Sequence, residues 1–305
     1  KSQRLIEVSE VNKMNGYNEI HIWDFPPTLT FIRLKEPFRL NLFNALVALF
    51  GSYQKLSDMI TKLSFKYGIR RSSSAGNLYG WFKGNKLYRR KIKMINIPLW
   101  TLLEFSKILS KNKRNDNYFM KEIEENIEYY TSRGKTNPII RPKLPLHLTP
   151  EMVSVIFHFL GDGHIGRKGV NSSYRQMNQK GLNNFLLKLK NIFGNFNYSK
   201  NEFGNGKVLV PKIITDFYNY YFNLPNTDTF ESYVPDNIKS FDKEFLVASL
   251  VAFMIDEANI GETIEVYSKN HNLIRGIREI AAKCGYDCKE VRKKYRYGVF
   301  DSYRF

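Results

Sequence analysis

Two apolar helical stretches, each closing on an acid, constrain this chain more than any other feature. The first runs from Thr149 to Gly163 and contains Ile156, Phe157, His158, Phe159, Leu160, Gly161 and Asp162. The second runs from about Asp242 through Leu250, Val251, Ala252, Phe253, Met254 and Ile255 to Asp256, Glu257 and Ala258. Thr149, Pro150 and Glu151 make a good start for the first: a hydroxyl cap, a preset φ and an acid at the positive pole. Residues 245–255 are apolar on nearly every face, so the second helix is expected to be buried all round. An acid in the last turn opposes the helix dipole. Two such acids point to a positive partner between them, and a hard divalent cation with oxygen ligands suits them best.

The sequence after each acid repeats a pattern. Leu182 to Gly194 and Leu273 to Gly285 share the apolar spacing of an amphipathic helix that ends on glycine. Short polar, strand-like stretches separate each acid from its amphipathic helix. The unit therefore reads as acid-terminated helix, hairpin, amphipathic helix and second hairpin, twice over.

On these residues the chain resembles the LAGLIDADG homing endonucleases in their single-chain, two-motif form, over roughly residues 140–305. Asp162-Gly163 falls on the acid-glycine pair that closes the family motif, and Glu257 falls on its second acid. Phe157 stands where the motif usually has a small residue, Ala258 replaces the second closing glycine, and Asp256 leaves the second acid open by one position. The resemblance implies an α+β fold: a duplicated αββαββα unit with pseudo-twofold symmetry, repeat 1 at 149–239 and repeat 2 at 240–305. It also implies that Asp162 and Glu257 share Mg²⁺ or another divalent cation such as Mn²⁺, with the sheets lying in a DNA major groove. Family enzymes often add a basic residue near the metal, for which Lys207 and Lys239 are the candidates. Repeat 2 stops at Phe305, without the terminal helix that Pro211 opens in repeat 1.

Composition agrees with a polyanionic partner. Among 305 residues, 47 basic against 29 acidic side chains give a net charge of +18, and 15% aromatic content is too high for a disordered basic tail. No apolar run reaches transmembrane length and no signal peptide opens the chain. Cys284 and Cys288, without further Cys or nearby His, read as a buried and a surface thiol rather than zinc ligands. An intracellular setting, cytoplasm or organelle matrix, and a monomer are expected. The first residue is Lys rather than Met, as in a piece of a longer chain.

Ahead of the repeats, residues 1–34 read as a short extension with strand-like stretches at 20–23 and 29–32. Residues 35–130 read as a mainly helical, helix-turn-helix-like domain. Leu42, Phe43, Leu46, Val47 and Phe50 form a first stripe ended by Gly51. Ser52 or Ser57 opens a second helix, ended by Gly68, and a short third one carries Leu78, Trp81 and Phe82. In that reading Arg70, Arg71, Asn77 and Lys83 meet phosphates or base edges, and the basic run 86–93 tracks a backbone. Residues 118–130 read as one acidic helix and 131–148 as an extended linker.

Within the repeats, Arg167, Lys168, Arg175, Gln176 and Lys200 in the first, and Lys269, Lys293 and Arg296 in the second, are the candidate DNA contacts. Asn205-Gly206 reads as a hairpin turn between residues 197–200 and 207–210. His158 reads as a packed, hydrogen-bonded core histidine. The expected activity is site-specific cleavage of double-stranded DNA. A regulator that binds DNA without cutting, or an intron RNA maturase, is the alternative on the same scaffold.

Overall fold

The computed structural model describes residues 19–69, 75–83, 85–87, 91–93, 95–110, 116–132, 137–166, 171–224, 231–297 and 299–305. It divides into two compact units, residues 21–144 and residues 1–20 with 145–305. Both mix helices with antiparallel strands. Among the described residues no helix is long and apolar enough to cross a membrane.

In the unit 21–144, strand β1 (Thr30–Leu34) precedes helices α1 (Glu36–Phe50), α2 (Tyr53–Lys66) and α3 (Ala75–Phe82). A small hairpin of β2 (Asn85–Leu87) and β3 (Lys91–Lys93) follows, then β4 (Ile97–Pro98), α4 (Leu99–Ser110), α5 (Asp116–Glu125), β5 (Ile127–Ser132) and β6 (Ile139–Pro142). Gly51 at φ 72° ends α1 in the left-handed region where a side chain would be strained. Of the two candidate caps it is Ser52 that opens α2, accepting from the amide of Lys55 at 3.2 Å. Leu42, Phe43, Leu46, Leu56, Ile60, Leu78 and Phe82 bury the facing stripes of the three helices.

Three expectations are corrected here. The helix read over 118–130 ends at Glu125, because Ile127–Ser132 pairs antiparallel with β1 (Ile32 opposite Tyr130) and buries Tyr130 completely. The linker read over 131–148 is largely sheet: Ile139–Pro142 lies beside β5, and Leu146–His147 (β7) pairs with Glu19–Ile20. Helices still predominate over 35–130, as expected, and they accompany strands ordered β6-β5-β1-β4 within the unit of residues 21–144. Strand stretches this short are legible only once their partners are known, because cross-strand pairing stabilises them. At 22–24 the chain makes a 3₁₀ turn rather than a strand.

The other unit covers both stretches expected to be repeats, 149–239 and 240–305. The first motif helix is α6 (Pro150–Leu160), with Thr149 accepting from the amide of Met152 at 3.2 Å. Strands β8 (Gly163–His164) and β9 (Ser172–Arg175), helix α7 (Gln179–Phe193), a short α8 (Lys200–Gly204), β10 (Lys207–Val210) and α9 (Lys212–Phe222) follow. After α10 (Asp236–Lys239) come the second motif helix α11 (Lys243–Glu257), β11 (Ala258–Ile260), β12 (Ile264–Ser268), α12 (His271–Lys283), β13 (Arg292–Arg296) and β14 (Val299–Arg304). Helices α6 and α11 pack directly on each other.

Both halves follow one order: helix, antiparallel strand pair, helix, then a strand added beside the second of the pair. The sheets run β10-β9-β8 and β11-β12-β14-β13. Helices α7 and α12 start alike, Asn178 accepting from the amides of Lys180 and Gly181, and Asn270 from those of Asn272 and Leu273. The halves differ where residues 197–200 were read as a strand. Ser199 there accepts from the amide of Glu202 at 3.3 Å and nucleates α8. Asn205-Gly206 therefore joins a helix to β10, whose partner is β9. Helix α11 is not buried all round either, since Val251 and Ile255 are about half exposed (50% and 56%).

Candidate active site

Every residue of α6 from Met152 to Leu160 is buried, including Phe157, so the helix is a fixed support for whatever its end carries. Past its end the chain turns tightly. A Cβ on Gly163 would collide with the backbone of His158 and Phe159, and one on Gly161 would lie 2.9 Å from the Cβ of Asp256. Glycine is required at both positions by this close approach. The turn delivers Asp162 at the end of α6, and Glu257 closes α11.

Both carboxyls are half-buried, and among the described residues neither has a hydrogen-bond or ion-pair partner for its side chain. Burial, and then the charge of Asp256, push the Asp162 carboxyl up to about 6. Burial, and then the charges of Asp162 and Asp256, push Glu257 up to about 7. Asp162 raises Glu257 and Asp256 raises both, so negative charge collects at the two helix ends, and among the described residues no ion pair to either carboxyl offsets it.

Asp256 has a different fate. Its side chain is wholly buried, accepts from the Tyr174 hydroxyl at 2.6 Å, and lies 3.0 Å from Nδ1 of His158. It is a spoken-for group in the helix interface, whereas Glu257 has no side-chain partner among the described residues. His158 is the packed core histidine expected.

A cleft of about 370 Å³ opens beside Asp162, lined also by Arg175, Gln176, Glu202 and Lys207. Arg175 and Lys207 are directly opposed across β9 and β10, on the same sheet face. Tyr174, the residue before Arg175 and opposite Val208, turns the other way and stacks on Phe185 of α7 at 4.0 Å. The face carrying Arg175 and Lys207 is thus the one turned away from the helix. Lys207 makes its ion pair with Glu202, at 3.3 Å.

The second sheet repeats the arrangement. Lys293 is opposite Tyr303, whose ring packs at 4.8 Å on His271 at the start of α12, so this pair lies on the helix side. Arg292, Lys294 and Arg296 alternate onto the other face. Arg304, opposite both Arg292 and Tyr267, joins them and pairs with Glu265 at 2.8 Å; Lys294 sits over the Tyr267 ring at 4.3 Å.

Of the predicted residues, Asp162, Lys207, Arg175 and Gln176 are brought together in one cleft. Lys239 is drawn elsewhere, to Glu279 at 2.8 Å and Asp236 at 3.2 Å, in a separate hollow. Lys200 is exposed on α8, Lys269 is exposed after β12, and Arg296 lies on the open face opposite to that of Lys293. Lys83 is exposed at the end of α3, with its ammonium over the rings of Phe43 and Tyr79. Arg70, Arg71, Arg167 and Lys168 lie outside the described residues, as does the side chain of Asn77. Arg292, Lys294 and Arg304 were missed, although the alternation of Arg292-Lys-Lys-Tyr-Arg296 carries the signal.

Among the described residues no group of three or more His, Cys, Asp and Glu converges as a complete ligand set. Two carboxylates nonetheless fit Mg²⁺, which is commonly held by one or two of them while waters and substrate phosphates complete its shell. They fit zinc poorly, since among the described residues no His or Cys joins them. Neither a family model nor a curated protein matches the chain.

Proposed function

We propose that residues 145–305 are a duplicated LAGLIDADG-type core, and that the protein is an intracellular, divalent-metal-dependent endonuclease acting at specific sites in double-stranded DNA. The observation that carries the reading is the pair of partnerless acids, Asp162 and Glu257, at the ends of two packed helices beside sheets that turn basic faces away from their helices. Asp162 and Glu257 would hold the ion. When bound, it supplies charge compensation at the scissile phosphate and activation of a water molecule. Arg175 and Lys207 are placed to grip phosphates or base edges next to Asp162, with Gln176 offering an amide that suits adenine. Arg292, Lys294, Arg296 and Arg304 do the same for the other half-site. Burial of Phe157, Phe159 and Phe253 keeps the helix pair rigid, so the acids need not reorganise when DNA arrives.

The unit 21–144 is read as a second DNA contact, with α2 and α3 in helix-turn-helix order and Lys83 at the exposed end of α3. Ser52 and Gly68 delimit α2 as such a motif needs.

The deciding experiment incubates the full chain with DNA fragments from the region around its own gene, with Mg²⁺ and with EDTA. Discrete double-strand products in Mg²⁺ alone are expected. Salt-sensitive DNA binding without any product would replace the endonuclease by a DNA-binding regulator, and binding of structured RNA in preference to duplex DNA would replace it by a maturase.

A further inference from the structure

Six polar side chains, of which only Gln176 has a part in the proposed DNA contacts, meet behind the two acids. Asp256 immediately precedes Glu257, and its carboxylate is completely buried. A negative group in the last turn of a helix opposes the dipole, and a buried one needs partners. Tyr174 donates to Oδ1 at 2.6 Å, His158 Nδ1 lies 3.0 Å from Oδ2, and Gln176 donates at 3.5 Å. On the far side of the imidazole, Lys188 Nζ lies 3.2 Å from Nε2 and donates to Ser154 Oγ at 2.9 Å. An ammonium has only protons to give, so the ring proton sits on Nδ1 and is donated to Asp256.

The partners come from α6, β9 and α7, all in the first half, whereas Asp256 comes from the second. Its contacts therefore fasten the end of α11 to α6 and β9 directly, and to α7 through His158 and Lys188. Gly161 completes the fit, its open side filled by Asp256 itself. The residue after Gly161 is Asp162 and the residue after Asp256 is Glu257, so this contact joins the backbones that carry the two acids.

We propose that Asp256 is a positioning residue. Clamped by Tyr174 and His158, with Lys188 behind the imidazole, it sets the separation of Asp162 and Glu257 and hence their affinity for a divalent ion. This rests on the endonuclease reading and deepens it. A polar plug that merely stabilises the helix pair would behave differently, because it would leave metal affinity alone.

The test is a Mg²⁺ titration of the full chain, followed by thermal melting from an EDTA baseline. Tyr174→Phe and His158→Gln leave the charge of Asp256 in place and remove one clamp each, so a change in local charge does not enter. Each should raise the Mg²⁺ concentration giving half the melting shift by ~10-fold or more. Loss of cleavage should fall in kcat, with KM for DNA unchanged. Leu250→Ala, buried on α11 outside the cluster, is the control and should lower melting in EDTA without moving the Mg²⁺ midpoint. If both clamp variants behave like Leu250→Ala, the positioning role is overturned and the endonuclease reading stands. If the wild type shows no Mg²⁺-dependent shift, the endonuclease reading falls and the positioning role with it. Should His158→Gln fail to fold, Tyr174→Phe decides, since it loses a single oxygen.

Discussion

Gly161 and Asp256 meet where the two motif helices end, so closely that a Cβ on the glycine would stand 2.9 Å from that of the aspartate and 3.1 Å from its Oδ2. Gly161→Ala should therefore push the helix ends apart. Overpacking of this kind costs about 1–3 kcal/mol. The melting temperature in EDTA should fall by several degrees, and Mg²⁺ should recover less of it than in the wild type. An unchanged melting curve would mean the helix ends are not in contact.

The acids themselves separate enzyme from clamp. Asp162→Asn and Glu257→Gln should each abolish cleavage, while DNA affinity measured in EDTA by fluorescence anisotropy stays nearly constant. With Mg²⁺ the wild type should gain RT ln(1 + [L]/Kd) of stability that neither variant gains. Asp256→Asn tests the register: if it abolishes cleavage while Glu257→Gln retains it, the assignment of Glu257 as the free acid is wrong.

Proton linkage gives a signed prediction. In the folded chain Asp162 and Glu257 are raised to about 6 and about 7, above ordinary carboxyl values. A carboxyl raised on folding binds its proton more tightly in the native state. Its contribution is present in full below the unfolded value and is lost as pH rises through the folded one. In EDTA the chain should be more stable near pH 5 than near pH 8, with the loss beginning near the ordinary carboxyl values of about 4 and complete above about 7. Both groups are partly exposed, so solvent screening limits the effect to about 1–2 kcal/mol. The double variant Asp162→Asn/Glu257→Gln should lack this step in melting scans. A step that survives in the double variant belongs to other groups.

Salt should act strongly on DNA binding. With a net charge of +18 and two basic sheet faces, affinity should drop by on the order of 10³-fold or more between 50 and 200 mM salt. Replacing Arg292, Lys294 and Arg296 together by Ala should lower the slope of log K against log salt by about 3. Replacing Lys293, on the helix side of that sheet, should change it less than replacing Lys294.

The first unit offers a test of its boundary. A fragment of residues 21–144 should melt cooperatively and show both helix and strand by circular dichroism. A fragment ending at residue 135 lacks β6, the strand opposite Tyr129 and Tyr130, and should be clearly less stable. Equal stability of the two would return 131–148 to the status of a linker.

Periodicity and capping chemistry are local, and where they governed, the sequence alone was enough. Thr149-Pro150-Glu151, the stripes of α7 and α12, the glycine ends of α1 and α2, and a helix opening after Pro211 are all legible in the sequence. So are the acids at the ends of α6 and α11, and the placement of Arg175 and Lys207 on one strand face each. What needed the tertiary structure was everything decided by a distant partner. Residues 127–132 and 139–142 become strands because β1 and each other lie alongside, which no window of sequence contains. Residues 199–204 form a helix because a serine cap outweighs a strand-like composition when β10 finds its partner in β9. The half-exposed flank of α11 and the capture of Lys239 by Glu279 are likewise long-range outcomes. The roles of Asp256 and Glu257, adjacent and chemically alike, were separated only by packing. One faces His158 and Tyr174 across the helix interface, and the other has no side-chain partner among the described residues.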